Sequence, residues 1–230
     1  MSNTIRPALE TGLPNDHVCM LGMHWKDHPQ AQRTMVLVEK IKNRLVYSDR
    51  NAYAVTGASG SGKDSFCDGV YKVSNVRFGD VMKDLAFKYG MVPHSTSVYE
   101  ANRSWRHEPL NNGKTALDAW IALDVIRHYN PFVFVEIGLT KLCRELDISE
   151  STNIGTHLPV VFSGMRTELG LDVVREICGH KNMFRVEREG HTPPKNATLD
   201  ELQVLYPVHS TVYNNCTLEN LHALAKAFLV

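Results

Sequence analysis

The chain has 230 residues, 43% hydrophobic and 22% charged, with 25 basic and 25 acidic side chains. That composition suits a globular α/β chain with a sizeable core, and zero net formal charge offers no global field for nucleic acid, so DNA binding would need a local patch. No apolar run nears the roughly 20 residues of a membrane span, no basic start with an apolar core marks a secretory leader, and five scattered cysteines without a C-x-x-C pair point to reduced thiols in a cytoplasm.

Residues 1–30 are punctuated by Pro7, Pro14 and Pro29 and hold no period. His17, Cys19, His24 and His28 gather there, but their spacing fits no standard zinc pattern, and a partly ordered extension is the plainer reading. Residues 31–46 place Val38, Ile41 and Leu45 at helical spacing. Ala52 to Thr56 is an apolar run that reads as a buried strand. Residues 75–79 read as a second strand, and Asp80 as the N-cap of a helix that stops at Gly90. The stretch 91–113 reads as a polar loop. Helices are expected over about 114–129, with Ala116, Trp120, Ile121 and Val125, and over about 132–146 after Pro131. Residues 158–163 form a third strand, 168–178 a helix ended by Gly179, 182–187 a fourth strand and 210–214 a fifth. Thr217 caps a last helix with Leu221, Leu224 and Phe228 facing inward. Strands alternating with helices imply right-handed crossovers and a parallel, doubly wound sheet, with ligands at the carboxyl ends of its strands.

The stretch that organises the chain is Gly57-Ala58-Ser59-Gly60-Ser61-Gly62-Lys63-Asp64-Ser65. Strand, glycine-rich turn and helix make the context a phosphate-binding loop needs. Glycines curl the backbone without a Cβ in the way, and helix-start amides without intrahelical partners face an anion. The lysine adds a mobile charge for β and γ phosphates. Asp64 stands where the common motif has Ser or Thr for Mg²⁺, and the hydroxyl comes one place later, at Ser65.

Reading Gly-Lys-Asp-Ser, the loop resembles that of the bacteriophage deoxynucleoside monophosphate kinases, within the P-loop nucleoside monophosphate kinase superfamily. Phe78 to Ala86 looks like the family's second strand and substrate-side helix. Gly113-Lys114-Thr115 and Trp120 to Arg127 resemble its central helical stretch. Val161 to Arg166 looks like its third strand with the following arginine, and Asn215 to Glu219 like its asparagine-plus-helix ending. The resemblance spans roughly residues 50–230. It implies a P-loop three-layer α/β fold with a five-stranded parallel sheet and a helical substrate-binding insertion. It also implies an N-terminal extension over 1–50 with one helix, and a kinase domain over 51–230 whose substrate or lid region covers about 91–150. Two departures stand out. Gly164 occupies the place where the family carries an Asp, and the first 50 residues have no counterpart in the compact pattern.

The activity this implies is transfer of the ATP γ-phosphoryl group to a deoxynucleoside monophosphate, with ATP and Mg²⁺ required. Phage kinases that phosphorylate 5-hydroxymethyluracil within DNA belong to the same class and form the alternative, with DNA as substrate. A non-catalytic ATP-binding module is the alternative from another class. The location implied is a cytoplasm, a host's if the chain is phage-encoded, with no membrane partner and with room for a homodimer. Residues Gly57, Ser59, Gly60, Ser61, Gly62, Lys63, Asp64 and Ser65 would cradle ATP, with Arg188 after strand four on the adenine or phosphate side. Asp64 and Ser65 would serve the metal. Lys63, Asp64, Asp80 and Arg166 would act in catalysis, and Asp80, Lys83, Arg103, Arg106, Arg127 and Arg166 would meet the acceptor. N-capping is the alternative for Asp80 and surface charge for the arginines. Trp105 and Tyr99 could stack on a base, with core packing as the other reading.

Overall fold

The structure is a computed structural model, and it describes residues 24–70, 74–152, 159–165, 167–190 and 206–229. Five strands, β1 (Ala52–Thr56), β2 (Ser74–Arg77), β3 (Val160–Ser163), β4 (Met183–Glu187) and β5 (Ser210–Tyr213), form one sheet in the order β2-β3-β1-β4-β5. Every pairing is parallel, with Ala54 opposite Phe162 on one side and Met183 on the other. Eight α-helices are described: α1 (Gln32–Tyr47), α2 (Lys63–Asp68), α3 (Phe78–Lys88), α4 (Thr96–Ala101), α5 (Ala116–Asp124), α6 (Val133–Thr152), α7 (Glu168–Cys178) and α8 (Leu218–Leu229).

Strand alternation builds three layers. Ala52, Ala54, Val160 and Phe162 face α1, α6 and α7, whose Ile41, Leu139, Leu142, Leu171 and Val174 are fully buried. Tyr53, Val55, Val161, Phe184 and Val186 face the other way, onto α2 and α8 through Phe66, Leu221 and Ala225. Both faces of the sheet are covered, which is why the inner strands β1 and β3 are buried along their whole length. A third cluster lies apart, where Val81, Met82 and Ala86 of α3 pack with Tyr99 of α4, Trp120 and Leu123 of α5, and Phe134.

The helix expected over 31–46 is α1, and it lies in the main layer, with Val38, Ile41 and Leu45 in the cluster that holds Ala52 and Ala54 of β1. Glu176 of α7 pairs with Lys26 and Lys42, each at 3.1 Å, and Asp147 of α6 pairs with Arg44 at 2.8 Å and Lys40 at 3.2 Å.

Three local expectations are corrected. The second helix begins at Phe78, so Asp80 is in its first turn and Arg77 holds the cap position. The stretch 91–113 is not all loop, because it holds α4 and a 3-10 turn, Arg103–His107. The helix at 114–129 is α only to Asp124 and tightens into a 3-10 turn, Val125–His128, leaving Ile121 and Val125 60% and 44% exposed. Phe228 of α8 is 39% exposed, while Ala225 and Leu229 fill the inward face.

Connections on the two sides of β1 run opposite ways. β1 sends its following helix to the α2 face, and its neighbour β3 sends α7 to the other. That reversal makes a topological switch point between the carboxyl ends of β1 and β3, the place where a crevice in doubly wound sheets binds ligands.

Candidate functional site

β1 delivers the glycine-rich turn to this crevice. Gly62 sits at φ +92°, and a Cβ there would run into the amide of Asn214, which follows β5. Gly57 lies against the carbonyl of Val186 in β4, again with no room for a side chain. The turn is thus held from β4 and β5. Asn214 Nδ2 donates to Ser61 O at 2.8 Å, and Ser61 N–H donates to Ala58 O at 3.1 Å. Ser61 is buried, and its hydroxyl has no hydrogen-bond partner among the described residues. The first helical bond is Phe66 N–H to Gly62 O at 2.8 Å, so the amides of Lys63, Asp64 and Ser65 open α2 ahead of the ladder. Lys63 Nζ makes one long contact, 3.4 Å to Ala58 O, and pairs with no carboxylate among the described residues. Ser59 and Gly60 are exposed at the tip of the turn; Asp64 and Ser65 are half-buried. Cys67, just beneath, is buried, and burial pushes its thiol up to about 12, so it packs and does not react.

Gly164 ends β3 at φ +70°, and a Cβ there would stand 3.2 Å from Gly79 N. The end of β3 therefore rests on the first turn of α3, and the tight backbone contact disfavours the acidic side chain of the compared family. Arg166 lies outside the described residues, as do His17 and Cys19. Ser163 Oγ donates to Asn75 Oδ1 at 3.3 Å, joining β3 to β2 at the same edge.

Arg77, the last residue of β2, is the residue that sequence reasoning missed. Its guanidinium pairs with Asp68, and although burial works against its charge, Asp68, Asp64 and Asp80 together raise its pKa. One cation thus sits among three carboxylates from α2 and α3. The signal lay in its place at a strand's carboxyl end, two residues after Asn75.

Asp80 and Lys83 meet on α3, and the partner that joins them to the arginines is Glu100 of α4. Lys83 Nζ lies 2.8 Å from Asp80 Oδ1 and 2.6 Å from Glu100 Oε1. Arg106 reaches Glu100 Oε2 at 2.6 Å, and the largely exposed Arg103 at 3.5 Å. Burial raises the Glu100 carboxyl, but Lys83, Arg106 and Arg103 outweigh it and hold it below the usual carboxylate range. Three cations answer two carboxylates, a group that can exchange a carboxylate for a phosphate. Arg127 is apart from them: it pairs with Asp124 at 3.1 Å, covers the Phe134 ring at 4.9 Å and lines a small crevice with Phe78, Met165 and Thr167 near the end of β3. Arg188 is exposed after β4, one residue past Glu187, whose carbonyl accepts from Asn214 N–H at 2.7 Å, so it stands beside the glycine turn.

Among the described residues no group of three or more His, Cys, Asp or Glu could hold a metal ion. His24 and His28 instead accept backbone N–H groups of Lys26 and Gln30 at 3.3 and 3.1 Å. A metal in the crevice would have at most one or two protein ligands, Asp64 and Ser65, with the remainder from phosphate and water, which is how Mg²⁺ is commonly held. No helix among the described residues is long and apolar enough to cross a membrane. No family model and no curated protein matches this chain.

Proposed function

We propose that this chain is a P-loop phosphotransferase that moves the γ-phosphoryl group of ATP to a deoxynucleoside monophosphate. The observation that carries the reading is the glycine-rich turn after β1, with Lys63 at its end and no carboxylate among the described residues paired with it. Phosphoryl transfer needs positioning and positive charge more than covalent help.

The residues divide the work by place. The amides of the turn and of Lys63 to Ser65 bind the phosphates of the donor, and the Lys63 ammonium follows charge as it moves onto the γ oxygens. Asp64 and Ser65 supply hard oxygens suited to Mg²⁺, which when bound neutralises charge on the β and γ phosphates. Arg188 flanks the donor from β4. On the acceptor side, Lys83 and Arg106 give up Glu100 for phosphate oxygens, and Asp80, paired with Lys83, orients the acceptor. Arg77 at the end of β2 is held to α2 by its pair with Asp68, between the donor and acceptor sides.

The test is transfer of label from γ-labelled ATP, wild type against Lys63→Ala. Loss of about 10²–10³-fold in transfer with an unchanged circular dichroism spectrum is expected from removing one charge-stabilising donor. Equal turnover by the two proteins would remove the turn from the chemistry.

A further inference from the structure

A sizeable cleft in the described residues lies away from the strand ends. It lies in the third cluster, about 410 Å³ in volume, between the loop that follows α3, the start of α4, the 3-10 turn and residues 108–112. That size is in the range of small-molecule sites. One wall is aromatic: the His94 ring lies 5.6 Å from Tyr99 and 5.2 Å from Trp105. Leu110 adds apolar surface, and Glu108 and Asn111 bring polar groups to the rim.

Two details point to an occupant. Tyr99 is 1% exposed, yet its hydroxyl has no hydrogen-bond partner among the described residues, and buried polar groups in native proteins normally have one. Tyr99 and Glu108 line the same cleft, and burial raises the phenol's pKa, with the Glu108 carboxylate adding to the shift. The second detail is charge. Glu108 is the sole carboxylate in the lining and no lysine or arginine joins it, so the cleft suits N–H donors and repels phosphate. Lys83, Arg103 and Arg106 all turn to Glu100. Trp120 stands between: Tyr99 packs on its ring at 5.4 Å, and Lys83 Nζ lies 5.7 Å from the same ring.

We propose that this cleft is a second binding site, separate from the strand-end crevice, that takes the ring of an unphosphorylated nucleoside, stacked on Trp105 and His94 with its ring N–H groups donating to Glu108. Stacking on aromatic rings is tolerant of base identity, and the carboxylate selects rings with an N–H edge. The site does not depend on the phosphotransfer reading, because nothing in it handles phosphate.

The test uses the full chain, titrated calorimetrically with deoxyguanosine, deoxyadenosine, deoxycytidine, thymidine and, as a small organic cation, tetramethylammonium. At least one nucleoside should bind, unchanged in Lys63→Ala and weakened tenfold or more in both Glu108→Gln and Trp105→Leu. Asn111→Ala, on an exposed loop residue, gives the same reading with a five-fold loss if either of those variants fails to fold. Absence of nucleoside binding, nucleoside binding that these rim and wall variants leave intact, or binding of tetramethylammonium alone would each overturn the assignment.

Discussion

Lys63 differs from the other cations near the strand ends in what holds it. Lys83, Arg77, Arg106 and Arg127 each pair with a carboxylate, whereas Lys63 has one long contact within its own turn. An ammonium so placed costs little to redirect toward an incoming anion. Gly62 shows the same residue-level economy in the backbone. At φ +92° and against the Asn214 side chain, it admits no Cβ without moving the residue that pins the Ser61 carbonyl. Gly62→Ala should destabilise the fold by about 1–3 kcal/mol, the usual cost of a side chain in a strained backbone region. Urea melts check this; a midpoint equal to wild type would mean the turn relaxes freely. Activity in the same variant should fall further than stability does, because the amides of α2 move with the turn.

Among the elements, the inner strands β1 and β3 and the helices α1 and α7 were legible because their apolar spacing agrees with their burial. Val38, Ile41 and Leu45 recur at helical intervals, and all three are buried. Thr167 and Gly179 bracket α7 with a side-chain cap and a left-handed stop. The sheet order and the layers needed tertiary contacts to settle. What escaped reading has physical causes. Asp80 is a good capping residue by type, but Phe78 stacks on Phe162 at 6.2 Å and is part of the helix, so the cap falls at Arg77, three residues earlier. α4 is six residues of mostly β-branched and hydroxyl side chains, so no local propensity announces it, and it is held by Tyr99 in the third cluster. Its Glu100, which gathers Lys83, Arg103 and Arg106, was therefore hidden too. The strand, glycine-rich turn and helix over 52–68 were legible from their pattern, while Arg77 carried only its place at a strand's carboxyl end and no motif.

The element α1 gives a prediction about acid. Burial raises the Glu176 carboxyl, but hydrogen bonds and charge from Lys26 and Lys42 outweigh this and leave it below the usual range. A carboxyl depressed in the folded state stabilises the fold above its unfolded pKa, about 4.3, and that contribution is lost as pH falls through the folded value. Glu176→Gln should lower the urea midpoint at pH 6 and converge with wild type near pH 3. The two midpoints running parallel across that window would show that the Glu176 pairs do not hold α1 to α7 energetically.

At the scale of the whole molecule, the two faces of one sheet serve different ends. The α1, α6 and α7 face supplies most of the core, and the α2 and α8 face sets the glycine turn at the crevice. The third cluster, on α3, α4 and α5, carries the Glu100 charge group, assigned to the acceptor in the proposed function, and a separate aromatic cleft. Such a division lets donor binding be fixed by the sheet while acceptor choice is varied in a smaller helical unit.

The central claim is tested most directly by offering acceptors to the purified chain with Mg²⁺ and γ-labelled ATP: each deoxynucleoside monophosphate in turn, and duplex DNA with and without 5-hydroxymethyluracil. The expected result is label in a deoxynucleoside diphosphate, lost in Lys63→Ala. Label entering only the modified DNA, or no label in any acceptor while ATP still binds, would contradict a nucleotide kinase.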